Sequence, residues 1–264
     1  MARPIVDDAL WEVIEPVLPP PKPRRFRYPG RTPVDNRTAL TGIVFVLKTG
    51  IAWEDLPCEM GCSGMTCWRR LRDWQQAGVW DSLQQTLLTT LNKAEKIDWS
   101  RAIADSSSVR AVQGGDETGP NPTDRAKAGS KHHVLTDGQG IPVAQIVTAA
   151  NTADITQLEP LLDAVPPVRG TRGRPRQRFD RAQADRAYDS EPHRGRLRAR
   201  GIEPVLATRR TDHGSGLGRF RWVVERTIAW FHQFRRLRTR FERRVDIHQA
   251  FLTLAGALIG FRFM

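Results

Sequence analysis

The hydrophobic pattern changes near residue 95, and this change constrains the fold more than any other feature of the 264-residue sequence. Before it, apolar residues recur at helical spacing, and Asp or Ser precedes several of the runs as an N-cap candidate. After it, short apolar runs alternate with helical segments and turn sequences. The pattern predicts an all-helical region over residues 1–95, followed by an α/β region over 96–264.

Four helices are predicted in the first region, with a Pro-rich basic linker at 19–33 that is expected to be extended. Their predicted starts are Asp7 or Asp8, Asp35, Ser63 and, for the fourth, a run of leucines at 83–91. In the second region, the predicted strands are 101–104, 132–136, 141–148, 182–185 and 203–207. The predicted helices are 154–164, 190–200, 219–243 and 246–260, and the predicted loops are 113–130 and 166–181.

The net charge indicates the kind of partner. A formal charge of +12 and an isoelectric point near 10.7 attract polyanions, of which nucleic acid is the commonest. The alternative is charge that serves solubility or reflects the preference for arginine in a GC-rich genome. The longest apolar run, Ala250–Phe261, is too short to span a membrane, and the N-terminus shows no apolar signal region. We therefore expect a cytoplasmic protein, with no membrane partner and with reduced cysteines that serve packing.

Three acidic residues are candidates for chemistry. Asp105 and Asp185 each end an apolar run, and Glu225 lies in the predicted helix 219–243. Carboxylates that converge from strand ends and a helix can hold two Mg²⁺ ions, which activate water and stabilise a leaving oxygen in phosphoryl transfer. The residues alone leave another interpretation open. Strand-end aspartates are often turn or cap residues, and Arg221 with Glu225 forms an ordinary i, i+4 ion pair.

Several motifs, taken in order, resemble the DDE transposases of bacterial insertion sequences, in the insertion-sequence-five family. The resemblance covers nearly the whole chain. The matching segments are Leu10-Trp11-Glu12, 42–50, 53–57, Trp68-Arg69-Arg70-Leu71, 105–111, 129–133, 184–189, Trp222-Val223-Val224-Glu225-Arg226-Thr227 and Phe234-Arg235-Arg236-Leu237.

The resemblance implies an RNase H-like catalytic domain, preceded by a small all-α domain that resembles a helix-turn-helix. It assigns catalysis and metal binding to Asp105, Asp185 and Glu225, with Mg²⁺ as cofactor and Mn²⁺ as a substitute. Arg221 then matches a residue expected to contact DNA near the scissile phosphate, and Lys131 matches a basic residue that contacts phosphate. The chain departs from the family pattern where Tyr, Lys and Gly are usual, at Gly218, His232 and Ala187.

Three basic segments are candidate DNA contacts. Arg69, Arg70 and Arg72 lie on the third helix, which the helix-turn-helix likeness places in the major groove. Arg172 and Arg174 lie in a Gly/Pro-containing loop that resembles a minor-groove hook. Each segment could instead be a solvated surface or a flexible basic loop. The third segment, 235–244, is rich in arginine and begins with Arg235 and Arg236.

The implied function is transposition of the chain's own element. Water is activated against the phosphodiester at the element end, and the freed 3′-hydroxyl attacks target DNA. The implied partner is double-stranded DNA, with a homodimer holding two ends in a nucleoid-associated complex and no small-molecule substrate. The alternatives are a non-catalytic, domesticated DNA-binding regulator and a nuclease that cuts without joining.

Overall fold

Four helices form the N-terminal part of the molecule, as the periodicity predicts. The computed structural model describes residues 4–20, 23, 26–28, 30–208 and 218–264. The helices are α1 (Asp8–Ile14), α2 (Asn36–Thr49), α3 (Gly64–Gln76) and α4 (Val79–Lys93). Three basic positions of the predicted linker, Lys22, Arg24 and Arg25, lie outside the described residues.

The predicted N-caps are confirmed by hydrogen bonds. In each case the side-chain oxygen accepts from the backbone N–H three residues further on, at 3.0 Å for Asp7, 2.9 Å for Asp35 and 3.3 Å for Ser63. These bonds satisfy donors that the first turn of a helix leaves without a partner. Gly50 ends α2 in the left-handed conformation, at a φ of 75°, which glycine adopts without steric cost.

A mixed sheet follows the helices. Its strands in the described residues are β1 (Ala102–Ala111), β2 (Gly119–Pro120), β3 (Ala128–Asp137), β4 (Pro142–Ala149), β5 (Arg181–Ala184), β6 (Glu203–Leu206) and β7 (Thr239–Arg240). The long strands lie in the order β4–β3–β1–β5–β6. The β4–β3 and β3–β1 pairs are antiparallel, whereas the β1–β5 and β5–β6 pairs are parallel. This mixed sheet confirms the expected α/β class with an RNase H-like arrangement.

The parallel register of β1 and β5 positions two of the candidate acids. Ala102 lies opposite Ala182, so Asp105 and Asp185 each come three residues after a paired position. Residues that are 80 positions apart in sequence therefore lie side by side on neighbouring strands. The side chains of Asp105 and Asp185 are 16% and 31% exposed, and solvent reaches both.

Five further helices complete the described fold. They are α5 (Leu158–Asp163), α6 (Glu191–Ala199), α7 (Gly218–Gln233), α8 (Arg235–Arg238) and α9 (Val245–Phe261). Helix α9 is apolar on nearly all sides and packs against α4, α3 and β4. Because it is buried all round, it is the central element of the larger core.

The larger core is continuous across the predicted boundary at residue 95. It joins buried side chains of the N-terminal helices, such as Leu40 and Trp74, to Phe231 on α7 and Phe251 on α9. The indole of Trp53 also stacks on Phe251, with ring centroids 5.6 Å apart. A second core lies beneath β5 and β6 and contains the buried side chains of α5 and α6. The N-terminal helices thus share a core with the end of the chain.

Several predicted bounds differ from the observed ones. The strand expected at 101–104 extends to Ala111, because β1 pairs with β3 as far as Arg110 and Ala111 pairs with β7. The loop expected at 113–130 contains β2 and the start of β3. The helix expected at 154–164 begins as a 3₁₀ turn, Asp154–Gln157, before α5. The thiols of Cys62 and Cys67 are buried and lie 3.1 Å apart, whereas Cys58 is exposed.

The single helix predicted over 219–243 is wrong. Helix α7 ends at Gln233, the short α8 follows, and Thr239–Arg240 then pair with the end of β1 as β7. Helical spacing predicts a helix poorly where a neighbouring strand can form hydrogen bonds with the same backbone. Here the end of β1 is that strand. The helical spacing of Phe220 with Val224 and Phe231 predicts a shared apolar face, but Phe220 is 41% exposed near the start of α7.

Candidate active site

Three carboxylates from three separate elements converge on one arginine. Asp105 lies within β1, Asp185 directly follows β5, and Glu225 lies on α7. The Arg221 Nη2 atom is 3.4 Å from Asp105 Oδ2, 3.9 Å from Asp185 Oδ2 and 3.7 Å from Glu225 Oε1. The three acids selected from the sequence therefore form one cluster. The sequence predicts that Asp105 ends its strand. In the structure Asp105 lies within β1, which continues to Ala111.

Backbone N–H groups orient both aspartates. The Ser106 N–H donates to Asp105 Oδ1 at 2.8 Å, and the Ala187 N–H donates to Asp185 Oδ1, also at 2.8 Å. Each aspartate thus uses one oxygen locally and turns the other, Oδ2, toward Arg221. This division leaves one oxygen of each carboxylate available at the common centre.

The electrostatics of the cluster are unbalanced. Burial raises the pKa of Asp105 above its ordinary value, and the charge of Asp185 adds to the rise. The Ser106 N–H and Arg221 act in the opposite direction. Three carboxylates around one guanidinium leave excess negative charge in a partly enclosed site, and such a site attracts cations.

The donor set suits a hard divalent cation. Carboxylate oxygens are the ligands that Mg²⁺ and Mn²⁺ prefer. In the part of the chain that the structure describes, no group of three or more His, Cys, Asp or Glu side chains is close enough to hold a metal ion. In the structure the Arg221 guanidinium lies among the three carboxylates. The chemistry of the donors therefore fits, and ligation would require these side chains to close around the ion.

Two further basic side chains, Lys131 on β3 and His232 on α7, lie close to the strand that carries Asp105. The Lys131 ammonium pairs with Asp154 at 3.0 Å and donates to the Thr152 carbonyl at 2.8 Å. His232, which stands at the Lys position of the family pattern, has its Nε2 atom 3.2 Å from the Ser107 Oγ on β1. Lys131 is only 12% exposed, so a phosphate contact would have to compete with the Asp154 pair.

Sequence reasoning missed Asp154 and Tyr188. Asp154 accepts a hydrogen bond from Ser106 Oγ at 2.8 Å and so connects the Lys131 pair to the strand that carries Asp105. The Tyr188 hydroxyl is buried beside the acids, and burial raises the pKa of Tyr188 well above its ordinary value. No local signal identifies either residue, because their roles depend on contacts between distant elements.

The arginines of α3 differ in their availability. Arg69 is exposed. Arg70 donates to the Val34 carbonyl at 3.3 Å, whereas Arg72 donates to Asp73 and lies over the ring of Trp68. Arg69 is thus the residue of this group whose guanidinium the described contacts leave open.

The loop at 166–181 presents its arginines at a hairpin tip. Val168 and Arg176 exchange backbone hydrogen bonds of 2.9 and 2.8 Å and close the hairpin. Arg172 and Arg174 lie between them and are exposed. Gly173, at a φ of 88°, turns the chain at the tip. The pair predicted as a minor-groove hook is therefore held out on a short, closed loop.

Arg236 is buried, which corrects its prediction as a DNA contact. Only 6% of the residue is exposed. Its guanidinium pairs with Glu242 at 2.7 Å and donates to the Ile51 carbonyl at 2.8 Å. Its neighbour Arg235 is exposed. Arg236 thus fixes the segment after α7 against the loop after α2, whereas Arg235 faces solvent.

A buried network continues from Glu242 to β3. His248 Nδ1 lies 3.2 Å from Glu242 Oε2, and His248 Nε2 lies 2.8 Å from His132 Nε2. Burial lowers the pKa of His132 far below its ordinary value and lowers that of His248, although Glu242 opposes the shift at His248. Burial also lowers the pKa of His133 to about 4. All three rings are thus neutral inside the folded protein at pH 7.

We expect acid to destabilise the fold through these histidines. An unfolded His titrates near 6.5, so below that pH the unfolded chain binds protons that the folded one excludes. The contribution of these histidines to the free energy of unfolding is therefore fully present above pH 6.5. It decreases as the pH is lowered toward 5. Urea unfolding at pH 7, 6 and 5 measures this slope. His132→Gln should reduce the slope by up to about 1.4 kcal/mol per pH unit, and an unchanged slope would contradict the assignment.

Comparisons with known proteins identify the class. Residues 100–259 match the family described as transposase DDE domain, and residues 6–84 match the family described as putative transposase of IS4/5 family. The chain belongs to the DDE-domain transposases, and it is a DNA transposase. The resemblance inferred from its motifs is confirmed. No helix among the described residues has the length and apolar character needed to cross a membrane.

The most informative relatives come from one element of Burkholderia cepacia. The putative transposase for insertion sequence element IS402 is 66% identical over 146 residues, which are 55% of this chain and 69% of the relative. The IS402 uncharacterized 16.2 kDa protein is 67% identical over 123 residues, 46% of this chain and 84% of the relative. Among solved structures, the Mos1 strand transfer complex aligns over 81% of both chains at 10% identity, with a TM-score of 0.26.

Proposed function

We propose that this transposase cleaves the ends of its element and joins the 3′-hydroxyl to target DNA at the cluster of Asp105, Asp185 and Glu225. The convergence of all three carboxylates within 4 Å of one Arg221 nitrogen carries the proposal. The ligands proposed for Mg²⁺, or for Mn²⁺ in its place, are the same three carboxylates. When bound, divalent ions supply an activated water and stabilise charge on the scissile phosphate.

The chain's own residues prepare this chemistry in two ways. The backbone N–H groups of Ser106 and Ala187 hold the two aspartates, so that their free oxygens face the centre before DNA arrives. Arg221 places a positive charge among them, and its Nε–H is buried with no hydrogen-bond partner in the described structure. A buried donor without a partner is costly, and a phosphate oxygen is an acceptor that would satisfy it.

Double-stranded DNA is the proposed substrate, and the exposed arginines are its proposed contacts. Arg69 on α3, the hairpin pair Arg172 and Arg174, and Arg235 after α7 remain open to solvent. Arg70 and Arg72 are partly engaged, and Arg236 is excluded from the proposed surface by its burial. A protein that neutralises several phosphates binds DNA with a strong dependence on salt. Because two element ends must be held together, the proposed assembly is a homodimer on DNA.

The proposal is tested with the full chain and duplex DNA carrying the ends of its own element. Incubation with Mg²⁺ or Mn²⁺ should give cleavage at a unique position, followed by products in which the freed 3′ end is joined to a second duplex. EDTA should abolish both products and leave binding intact. Cleavage without joining would identify a nuclease. Salt-sensitive binding without cleavage, with both ends and metal present, would identify a DNA-binding regulator and overturn the proposal.

A further inference from the structure

A fourth carboxylate, that of Asp154, lies beside the strand that carries Asp105 and near the turn that follows Asp185. It begins the 3₁₀ turn Asp154–Gln157 after β4, and this turn packs against the 3₁₀ turn Arg186–Tyr188. The Asp154 side chain is only 20% exposed. A carboxylate that is mostly withdrawn from water depends on the donors and cations around it, and those around Asp154 indicate what it does.

Three side chains from two strands surround one oxygen of this carboxylate. Asp154 Oδ1 accepts from the Ser106 hydroxyl on β1 at 2.8 Å. The Lys131 ammonium and His133 Nδ1, both on β3, lie 3.0 and 3.7 Å from the same oxygen. Burial lowers the pKa of His133 to about 4, so its ring is neutral at pH 7 and Lys131 supplies the positive charge. Lys131 also donates to the Thr152 carbonyl at 2.8 Å, which fixes the ammonium beside Asp154.

Ser106 connects Asp154 to the candidate metal ligand Asp105. The Ser106 hydroxyl donates to Asp154, and the Ser106 backbone N–H donates to Asp105 Oδ1 at 2.8 Å. The same residue is therefore fixed through its side chain and orients Asp105 through its backbone. Replacing a group that orients a metal ligand from behind in this way typically costs about 10–100-fold in metal affinity or activity.

Asp154 also offsets the charge of Lys131. A carboxylate 3.0 Å from the ammonium reduces the attraction that Lys131 exerts on a DNA phosphate, and its own charge repels that phosphate. Removal of Asp154 should therefore strengthen DNA binding, while it loosens the orientation of Asp105. These two effects differ in sign. A general loss of folding would instead weaken binding and slow cleavage together.

We propose that Asp154 is a positioning residue of the candidate active site, which orients Asp105 through Ser106 and limits the contact of Lys131 with DNA. The inference rests on the proposed function, because the orientation of Asp105 matters for cleavage only if Asp105 takes part in it. Asp154 itself needs to touch neither the metal ion nor the DNA. It acts through its two partners, one on each of the neighbouring strands β1 and β3.

Asp154→Ala tests both parts in the full chain with a duplex that carries the element end. At saturating DNA and with Mg²⁺, the cleavage rate should fall by about 10–100-fold. In EDTA, where no strand is cut, anisotropy should show tighter binding to the same duplex. The salt dependence of that binding should become steeper by about 0.9 in log affinity against log salt, as expected for one additional phosphate contact.

Three further variants separate the two parts. Ser106→Ala removes only the hydroxyl, so it should slow cleavage and bind DNA as the wild-type protein does. Asp154→Asn keeps an oxygen for the Ser106 hydroxyl but lacks the charge, so it should recover most of the cleavage and keep the tighter binding. Glu159→Ala is the matched control, because Glu159 lies in the next turn of the same segment and pairs with Arg196 at 2.6 Å. It should cleave and bind within about two-fold of wild type.

Each part has its own contradicting result. Cleavage at the wild-type rate by Asp154→Ala or by Ser106→Ala would overturn the orientation of Asp105. Unchanged or weaker DNA binding by Asp154→Ala, or an equal gain by Glu159→Ala, would overturn the effect on Lys131. If Asp154→Ala is insoluble, Ser106→Ala decides the first part and Asp154→Asn the second. Absence of cleavage by the wild-type protein would contradict the proposed function itself, and with it the role of Asp154 in cleavage.

Discussion

Replacing any one of the three clustered acids by its amide should abolish strand cleavage while leaving DNA binding intact. Asp105→Asn, Asp185→Asn and Glu225→Gln each remove one negative charge from the centre around Arg221. Electrostatic groups of this kind contribute mainly in the transition state, so we expect the cleavage rate to fall by roughly 1,000-fold or more. The asparagine side chains keep an oxygen that can accept from the Ser106 and Ala187 N–H groups, so the local fold should persist.

The appropriate control removes a carboxylate outside the cluster. Asp163→Asn acts on a surface residue that pairs with Arg200, and it should leave cleavage within about two-fold of wild type. Anisotropy with the element end measures binding in parallel. If one amide variant cleaved at the wild-type rate, its residue would have no place in the catalytic set. If an amide variant lost binding and cleavage together, the defect would lie in folding or docking.

Replacing Arg236 by alanine should be the most destabilising change among the arginines predicted as DNA contacts. The substitution leaves the Glu242 carboxylate buried without its 2.7 Å partner, next to His248. Breaking a buried ion pair in this way costs about 3–5 kcal/mol. Urea unfolding at pH 7 measures the loss. If Arg236→Ala is insoluble, the same measurement is made on Arg236→Lys, which keeps the charge and should recover part of the stability.

Arg235→Ala is the matched neighbour with the opposite expected result. Because the Arg235 side chain faces solvent, its removal should change stability by less than about 0.5 kcal/mol. It should weaken DNA binding. It should also lower the steepness of log affinity against log salt by about 0.9, the value for one phosphate contact. Equal stability of the two alanine variants would contradict the burial of Arg236. Equal DNA binding by Arg235→Ala and wild type would remove Arg235 from the proposed interface.

The sequence was a good guide wherever the signal is local. Asp35 and Ser63 identify helix starts, since a cap acts within three residues. Asp105 and Asp185 follow apolar runs that are strands, and the parallel register of those strands brings them together. The i, i+4 spacing of Arg221 and Glu225 predicts an ion pair, and the two side chains lie 3.7 Å apart on α7.

The sequence was a poor guide where the outcome depends on a distant partner. Nothing near Arg236 in sequence distinguishes it from Arg235, because its burial follows from the Ile51 carbonyl and Glu242. The end of helix α7 at Gln233 has the same origin, since Thr239 and Arg240 pair with the end of β1 and do not continue the helix. Lys131 likewise meets Asp154 only through the folding of β3 toward the turn after β4.

We propose that Asp105, Asp185 and Glu225 form one metal centre, and iron-directed cleavage of the polypeptide can show whether they do. Fe²⁺ replaces Mg²⁺ at the protein, and ascorbate with peroxide then generates hydroxyl radicals that cut the chain near the bound ion. We expect three groups of cuts, near residues 105, 185 and 225, which excess Mg²⁺ suppresses and Asp105→Asn weakens at all three places. Cuts confined to other segments, or cuts at these places that Mg²⁺ does not suppress, would contradict it.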